Sequence, residues 1–203
     1  MRNLTNQIME RFKEKEGTIF SINDFYNIGT KNSVKSALLR LEKKGSITRV
    51  LDGLYIKPKY SEIVEESSYP SPHEVAKKIA DKFSWNICYD DNKSLNLTGL
   101  STQVPNSYIY ITDGPYRTYN YMGIDIIFKH TNSKYLFEFS FESTIMLVAI
   151  KTLGKGKISN LELLKLASYS KRYIKDDLIK DALGLPVWIR EVLCKIEKIN
   201  INK

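Results

Sequence analysis

The chain has 203 residues, 42% of them hydrophobic, and a formal net charge of +8. That is apolar content enough for packed cores, and ten glycines and six prolines exclude a collagen-like or low-complexity chain. Charge-free apolar runs such as Thr144 to Ile150 fall far short of the roughly 20 residues that cross a bilayer, so no membrane partner is expected. The charged first sixteen residues lack the apolar segment of a secretory signal. Two cysteines, Cys88 and Cys194, are too few for a disulfide framework or a cysteine metal site, and a reduced cytoplasm is the expected compartment.

Charge is unevenly placed. Residues 1–60 carry twelve Lys/Arg against six Asp/Glu, residues 61–100 four against seven, and residues 101–203 fifteen against ten. A basic N-terminal segment followed by an acidic stretch is what a nucleic-acid contact confined to the N-terminus would produce, because phosphate neutralisation needs clustered cations. An inert basic surface has the same charge count, so pattern has to separate the two.

Leu4, Ile8, Met9 and Phe12 recur every three or four residues and predict a helix from Leu4 to Lys15, ended by Gly17. Thr18 to Phe20 reads as a short extended link. Ser21 can cap a second, short helix with Ile22, Phe25 and Tyr26 on its buried side, broken at Gly29. Thr30 caps a third helix running to about Lys44, with Val34, Ala37, Leu38 and Leu41 inward and Gly45 as its left-handed stop. Ser46 to Val50 and Gly53 to Lys57 then read as two strands around a Leu51-Asp52-Gly53 turn, closed by Pro58. Three helices and a hairpin in about sixty residues is the winged helix-turn-helix arrangement.

Residues 61–71, rich in Glu and Ser, read as a linker between this domain, 1–60, and a second one, 72–203. Ser71-Pro72-His73-Glu74 is a capping box opening a helix through Phe83. Trp85 to Tyr89 is a strand candidate, and Ser107 to Phe128 alternates strand-like runs with turns, as a small antiparallel sheet would. Helices are expected at Ser143 to Leu153, around Leu161 to Ala167, at Asp176 to Leu183 and from Pro186 to Ile196. The expected class is α+β, a winged helix-turn-helix followed by a larger mixed domain.

No catalytic constellation emerges. His73 sits in a capping turn and His130 follows a strand, neither within metal-ligand spacing of other ligands. Gly154-Lys155-Gly156-Lys157 lacks P-loop spacing and follows a helix, and Glu138 and Glu142 are four apart and could share a helix face. No catalytic residue, metal or cofactor is assigned, and a non-enzymatic regulator is expected. The third helix offers the sharper chemistry. Lys31, Asn32, Ser33, Lys35 and Ser36 lie where such a helix meets the major groove, Thr30 at its positive end can meet phosphate, and Arg40 can reach the backbone. Arg49 and Lys57 place charge on or beside the wing. The alternative is a winged helix that docks a protein through a solvated basic face.

The string from Gly45 to Pro58 resembles the wing of AbiEi-type antitoxins, bacterial proteins of type IV toxin-antitoxin and phage-resistance systems. Asn96-Leu97-Thr98-Gly99-Leu100-Ser101-Thr102-Gln103-Val104-Pro105, followed by Tyr110 to Gly114, Arg117 and Ile126 to His130, is similar to the central segment of that family. The resemblance covers residues from about 20 to 130. It implies a transcriptional autorepressor binding inverted repeats in its own promoter, with a C-terminal antitoxin domain countering a nucleotidyltransferase-like toxin. From about Phe139 onward no residue-by-residue match carries it.

Overall fold

The computed structural model describes residues 3–61, 66–175, 178 and 180–201. Among the described residues, helices α1 (Leu4–Glu14), α2 (Lys31–Lys43), α3 (Pro72–Phe83), α4 (Asp91–Leu97), α5 (Phe141–Leu153), α6 (Asn160–Tyr173) and α7 (Val187–Ile201) accompany nine short strands. These are β1 (Phe20–Ser21), β2 (Thr48–Leu51), β3 (Leu54–Ile56), β4 (Lys59–Ser61), β5 (Glu66–Ser68), β6 (Ile87–Tyr89), β7 (Tyr108–Thr112), β8 (Arg117–Tyr121) and β9 (Ile124–His130). The class is α+β, and no helix among the described residues is long and apolar enough to cross a membrane. The chain forms two compact units, Met1–Trp85 with Tyr119–Ile126, and Asn86–Thr118 with Ile127–Lys203.

In the first unit, the Thr30 side chain accepts from the Ser33 amide at the start of α2, and Asn3 caps α1 in the same way. The inward faces of both helices meet in a core of Ile8, Phe12, Phe25, Val34, Ala37, Leu38, Leu41, Ile47 and Tyr55. Phe12 stands at its centre, fully buried, with ring centroids 4.9 Å from Phe20 and 5.6 Å from Phe25. The short second helix is a single 3-10 turn, Ile22–Phe25, held by a capping box in which Ser21 donates its amide to the Asp24 carboxylate at 2.7 Å. Strands β1, β3 and β2 form a three-stranded antiparallel sheet in that order, with a register shift between Arg49 and Leu51. In the β2–β3 turn it is Gly53 that takes the positive φ, +70°.

The chain from Lys59 to Ser68 differs from the expected linker, because β4 and β5 pair antiparallel, Lys59 opposite Ser68 and Ser61 opposite Glu66. Residues 62–65 of that expected linker lie outside the described residues. Helix α3, expected to open the second domain, belongs to the first unit. Its Val75, Ala76, Ile79 and Ala80 are buried, Lys78 pairs with Asp24 at 2.8 Å, and the Asn23 side-chain Nδ2 donates to the Lys82 carbonyl at 3.0 Å. The tip of the β8–β9 hairpin also groups here, with the Tyr121 hydroxyl donating to the Pro70 carbonyl at 2.9 Å. Met122 and Gly123 turn that hairpin at φ of +51° and +81°, as a type I′ turn requires.

The second unit is organised around α5, whose eight consecutive residues from Ser143 to Ile150 are all buried. A helix apolar on every side needs cover on every side, and Leu136, Leu166, Ile189, Leu193 and Cys88 share its core. The four-stranded sheet runs β6-β7-β9-β8. Helix α4 was not expected from the sequence; Asp90 caps it by accepting from the Lys93 amide at 3.1 Å. Of the helix expected at Asp176 to Leu183, residues 176, 177 and 179 lie outside the described residues, and Ala182–Gly184 is a 3-10 turn.

Two stability measurements follow. Phe12→Ala empties the centre of the first core and should cost about 3–5 kcal/mol in denaturant unfolding; a cost below about 1 kcal/mol would contradict the packing described. Met122 is 70% exposed and left-handed, so Met122→Asn should stabilise by about 1 kcal/mol without losing buried surface. No gain in the thermal midpoint would count against the turn.

Candidate nucleic-acid interface

Residues of an α-helix are about 100° apart around its axis, so burying Val34, Ala37, Leu38 and Leu41 dictates where the rest of α2 points. Asn32, Ser36 and Lys43 face directly outward and are exposed. Ser33 and Arg40 occupy one flank, where the Arg40 Nε donates to the Ser36 carbonyl at 3.2 Å and leaves its other guanidinium donors free to turn outward. Lys31 and Lys35 lie on the opposite flank with Leu39 and Glu42. At the start of the helix the Thr30 and Ser33 hydroxyls bond each other at 2.9 Å, so Thr30 serves as the cap before it serves any ligand.

The two cations expected on or beside a wing have different surroundings. Arg49 forms an ion pair with Asp52 in the β2–β3 turn, and Lys57 one with Glu16 just beyond α1. Lys57 also accepts at its carbonyl from the Gly17 amide at 2.9 Å, so it straps β3 to the end of the first helix. The turn itself is braced against the protein: the Lys82 ammonium donates to the Asp52 carbonyl at 2.7 Å, and the Ile22 amide to the Gly53 carbonyl at 3.0 Å. Lys31 and Lys35 form no ion pair among the described residues.

The nine expected contact residues therefore fall into three groups. Lys31, Lys35 and Arg49 share a cleft of about 400 Å³ between α2, the 3-10 turn and the β2–β3 hairpin. Thr30, Asn32, Ser33, Ser36 and Arg40 lie along the exposed arc of α2 outside it, and Lys57 stands apart at the base of the hairpin. The cleft adds Tyr26, Glu42 and Lys82 to the expected set. Lys82 is thirty residues from the turn it braces, and no local pattern announces it. Burial lowers the affinity of its ammonium for a proton, with the Asp52 carboxylate opposing and Arg49 adding to that shift. The Tyr55 phenol is pushed up by burial; Arg49 opposes the shift, and Glu42 and Asp52 reinforce it.

The other residues singled out in the sequence have local partners or separate positions. Among the described residues no three His, Cys, Asp or Glu could hold a metal ion. The His130 ring nitrogens sit 2.7 Å from the Gly114 carbonyl and 3.0 Å from the Asn132 side-chain oxygen, so the ring ties the end of β9 to the β7–β8 turn. Glu138 closes a 3-10 turn while Glu142 lies in the first turn of α5, so the two do not share the helix face their spacing allowed. Gly154 to Lys157 connects α5 to α6 as expected of a loop. Cys88 is buried, its thiol pushed up to about 12 mainly by burial, and Cys194 is exposed.

Because Lys57 is engaged by Glu16, its measurable role is in folding. A double-mutant cycle with Lys57→Ala and Glu16→Ala should return a coupling of about 0.5 kcal/mol, as partly exposed pairs do. Strictly additive stabilities would show that Lys57 is not held there.

No curated protein matches the chain. Residues 7–178 match DUF6088, a family of unknown function, and the chain belongs to that family.

Proposed function

We propose that residues 1–60 are a winged helix-turn-helix that binds double-stranded DNA, with α2 as the recognition helix, and that the protein is a transcriptional regulator and not an enzyme. The observation that carries this reading is the charge on the solvent side of α2. Lys31, Lys35, Arg40 and Lys43 lie there against the single acid Glu42, and Lys31 and Lys35 have no carboxylate partner among the described residues. Unneutralised cations on an exposed helix are the requirement for phosphate contact, and the polar Asn32 and Ser36 between them supply hydrogen-bonding groups for base edges. The order α1, β1, 3-10 turn, α2, β2, β3 agrees with the reading. With Arg49 and Lys57 each held by a carboxylate, affinity is expected to come from the helix more than from the wing.

The biological setting proposed is autorepression through inverted repeats in the protein's own promoter, coupled to an antitoxin role against a nucleotidyltransferase-like toxin. Its support is the resemblance of residues 45–58 and 96–130 to AbiEi-type antitoxins.

The test is a titration of the fragment upstream of the gene with the full chain, read by fluorescence anisotropy at several salt concentrations. Each phosphate contact contributes about −0.9 to the slope of log K against log salt, so Lys35→Ala/Arg40→Ala should flatten that slope by about 2 and weaken binding at least about tenfold. Unchanged affinity in the double variant would reject α2 as the interface. Failure of the unmodified protein to bind any upstream DNA at low salt would favour the docking alternative, for which the exposed Leu39 and Tyr26 beside the cleft supply an apolar contact.

A further inference from the structure

Helix α7 buries one face and leaves the other uncovered. Ile189, Leu193 and Ile196 point into the second unit's core, which turns Val187, Glu191, Cys194, Lys198 and Ile201 outward. All five are exposed, Val187 at 60% and Ile201 at 73%. They follow one another at spacings of four, three, four and three residues, the repeat of a coiled-coil seam, with Val187, Cys194 and Ile201 at every seventh place. A groove of about 590 Å³ follows this face, and Val187, Cys194 and Lys198 are among its walls.

The charges beside the seam say what fits it. Arg190 and Glu197, seven residues apart, flank it on one side, and Lys195 flanks it on the other. None of these three, nor Glu191 or Lys198, forms an ion pair among the described residues. When two such helices run antiparallel about a two-fold axis at Cys194, each flank meets the same flank of the other copy. Arg190 then stands beside the partner's Glu197, and the symmetry makes that pair twice. Glu191 comes level with the partner's Lys198 to within about 1.5 Å, the rise of one residue, and Val187 lies opposite the partner's Ile201. A parallel pairing does the reverse: it sets Glu191 against the partner's Glu191, Lys198 against the partner's Lys198 and Arg190 near the partner's Lys195, all of them repulsive.

We infer that the protein is a homodimer, two copies of the chain joined antiparallel through α7 with Cys194 on the two-fold axis. A helix of fifteen residues is about 22 Å long, which puts this contact at the small end of specific interfaces and its dissociation constant in the micromolar range. The dimer stands without the DNA reading, although two-fold symmetry is what inverted repeats call for.

Sedimentation equilibrium of the full, reduced chain over about 1–100 µM should return a monomer–dimer equilibrium. Glu197→Arg alters an exposed residue and sets like charges across the seam twice, so it should weaken the dimer about tenfold or more. Arg190→Glu/Glu197→Arg exchanges the two charges and should restore the dimer to within about threefold. Cys88 is buried and Cys194 exposed, so bismaleimidoethane should join two chains through Cys194, and Cys194→Ser should abolish that product. Circular dichroism verifies the fold of each variant. A monomer throughout the range would overturn the proposal, as would a dimer indifferent to Glu197→Arg or an unmodified protein that does not cross-link. A double variant that folds but does not regain the dimer would overturn the antiparallel pairing. Every readout is taken without DNA, so the two readings fail separately: DNA binding by a monomer would remove the dimer and leave the regulator, and a dimer that binds no DNA would do the opposite.

Discussion

Four apolar side chains on one stripe of α2 decide what the first unit can present to its surroundings. Val34, Ala37, Leu38 and Leu41 pack with Ile8 and Phe12 of α1, and no rotation of α2 keeps all four buried except the one observed. With that rotation set, every polar residue of the helix has its direction assigned before any partner arrives. The aromatic cluster of Phe12, Phe20 and Phe25 then ties the strand β1 and the 3-10 turn to the same centre, so helix, strand and turn share one core and hold the cleft's walls in register.

Electrostatics on this frame is settled pair by pair rather than by total charge. The basic count of the first sixty residues overstates what is on offer, since Arg49 and Lys57 are engaged by Asp52 and Glu16. Of the others, Lys31, Lys35, Arg40 and Lys43 lie on α2. The hairpin that would serve as a wing is short, and its turn is bound by Lys82 and by the Ile22 amide, which suits it to supporting the helix.

Local patterns in the sequence announced much of this unit and little of its interior chemistry. Thr30 and Gly45 marked the ends of α2 because a capping hydroxyl and a left-handed glycine are one-residue signals with a mechanical cause. The β4–β5 pair was read as part of a linker because the stretch is rich in Glu, Ser and Pro, a composition with no apolar alternation to announce a strand. Helix α4, with Leu95 and Leu97 in seven residues, is too short to display a period. The Lys82 to Asp52 bond joins α3 to a distant turn, and such contacts exist only once the fold does. Of the candidate site, the cations of α2 were legible, whereas Glu42 and Lys82 became visible only when the cleft that gathers them was formed.

Helix α5 has no outward face between Ser143 and Ile150. A segment enclosed in this way accepts substitutions only when they conserve volume, and in a close-packed interior that leaves few of them. Exposed positions such as Asn32, Ser36 and Arg40 of α2 are under no such packing constraint, and a change of side chain there costs folding little. The enclosed helix thus limits which sequences can build the second unit's centre, whereas the exposed arc of α2 sets no such limit.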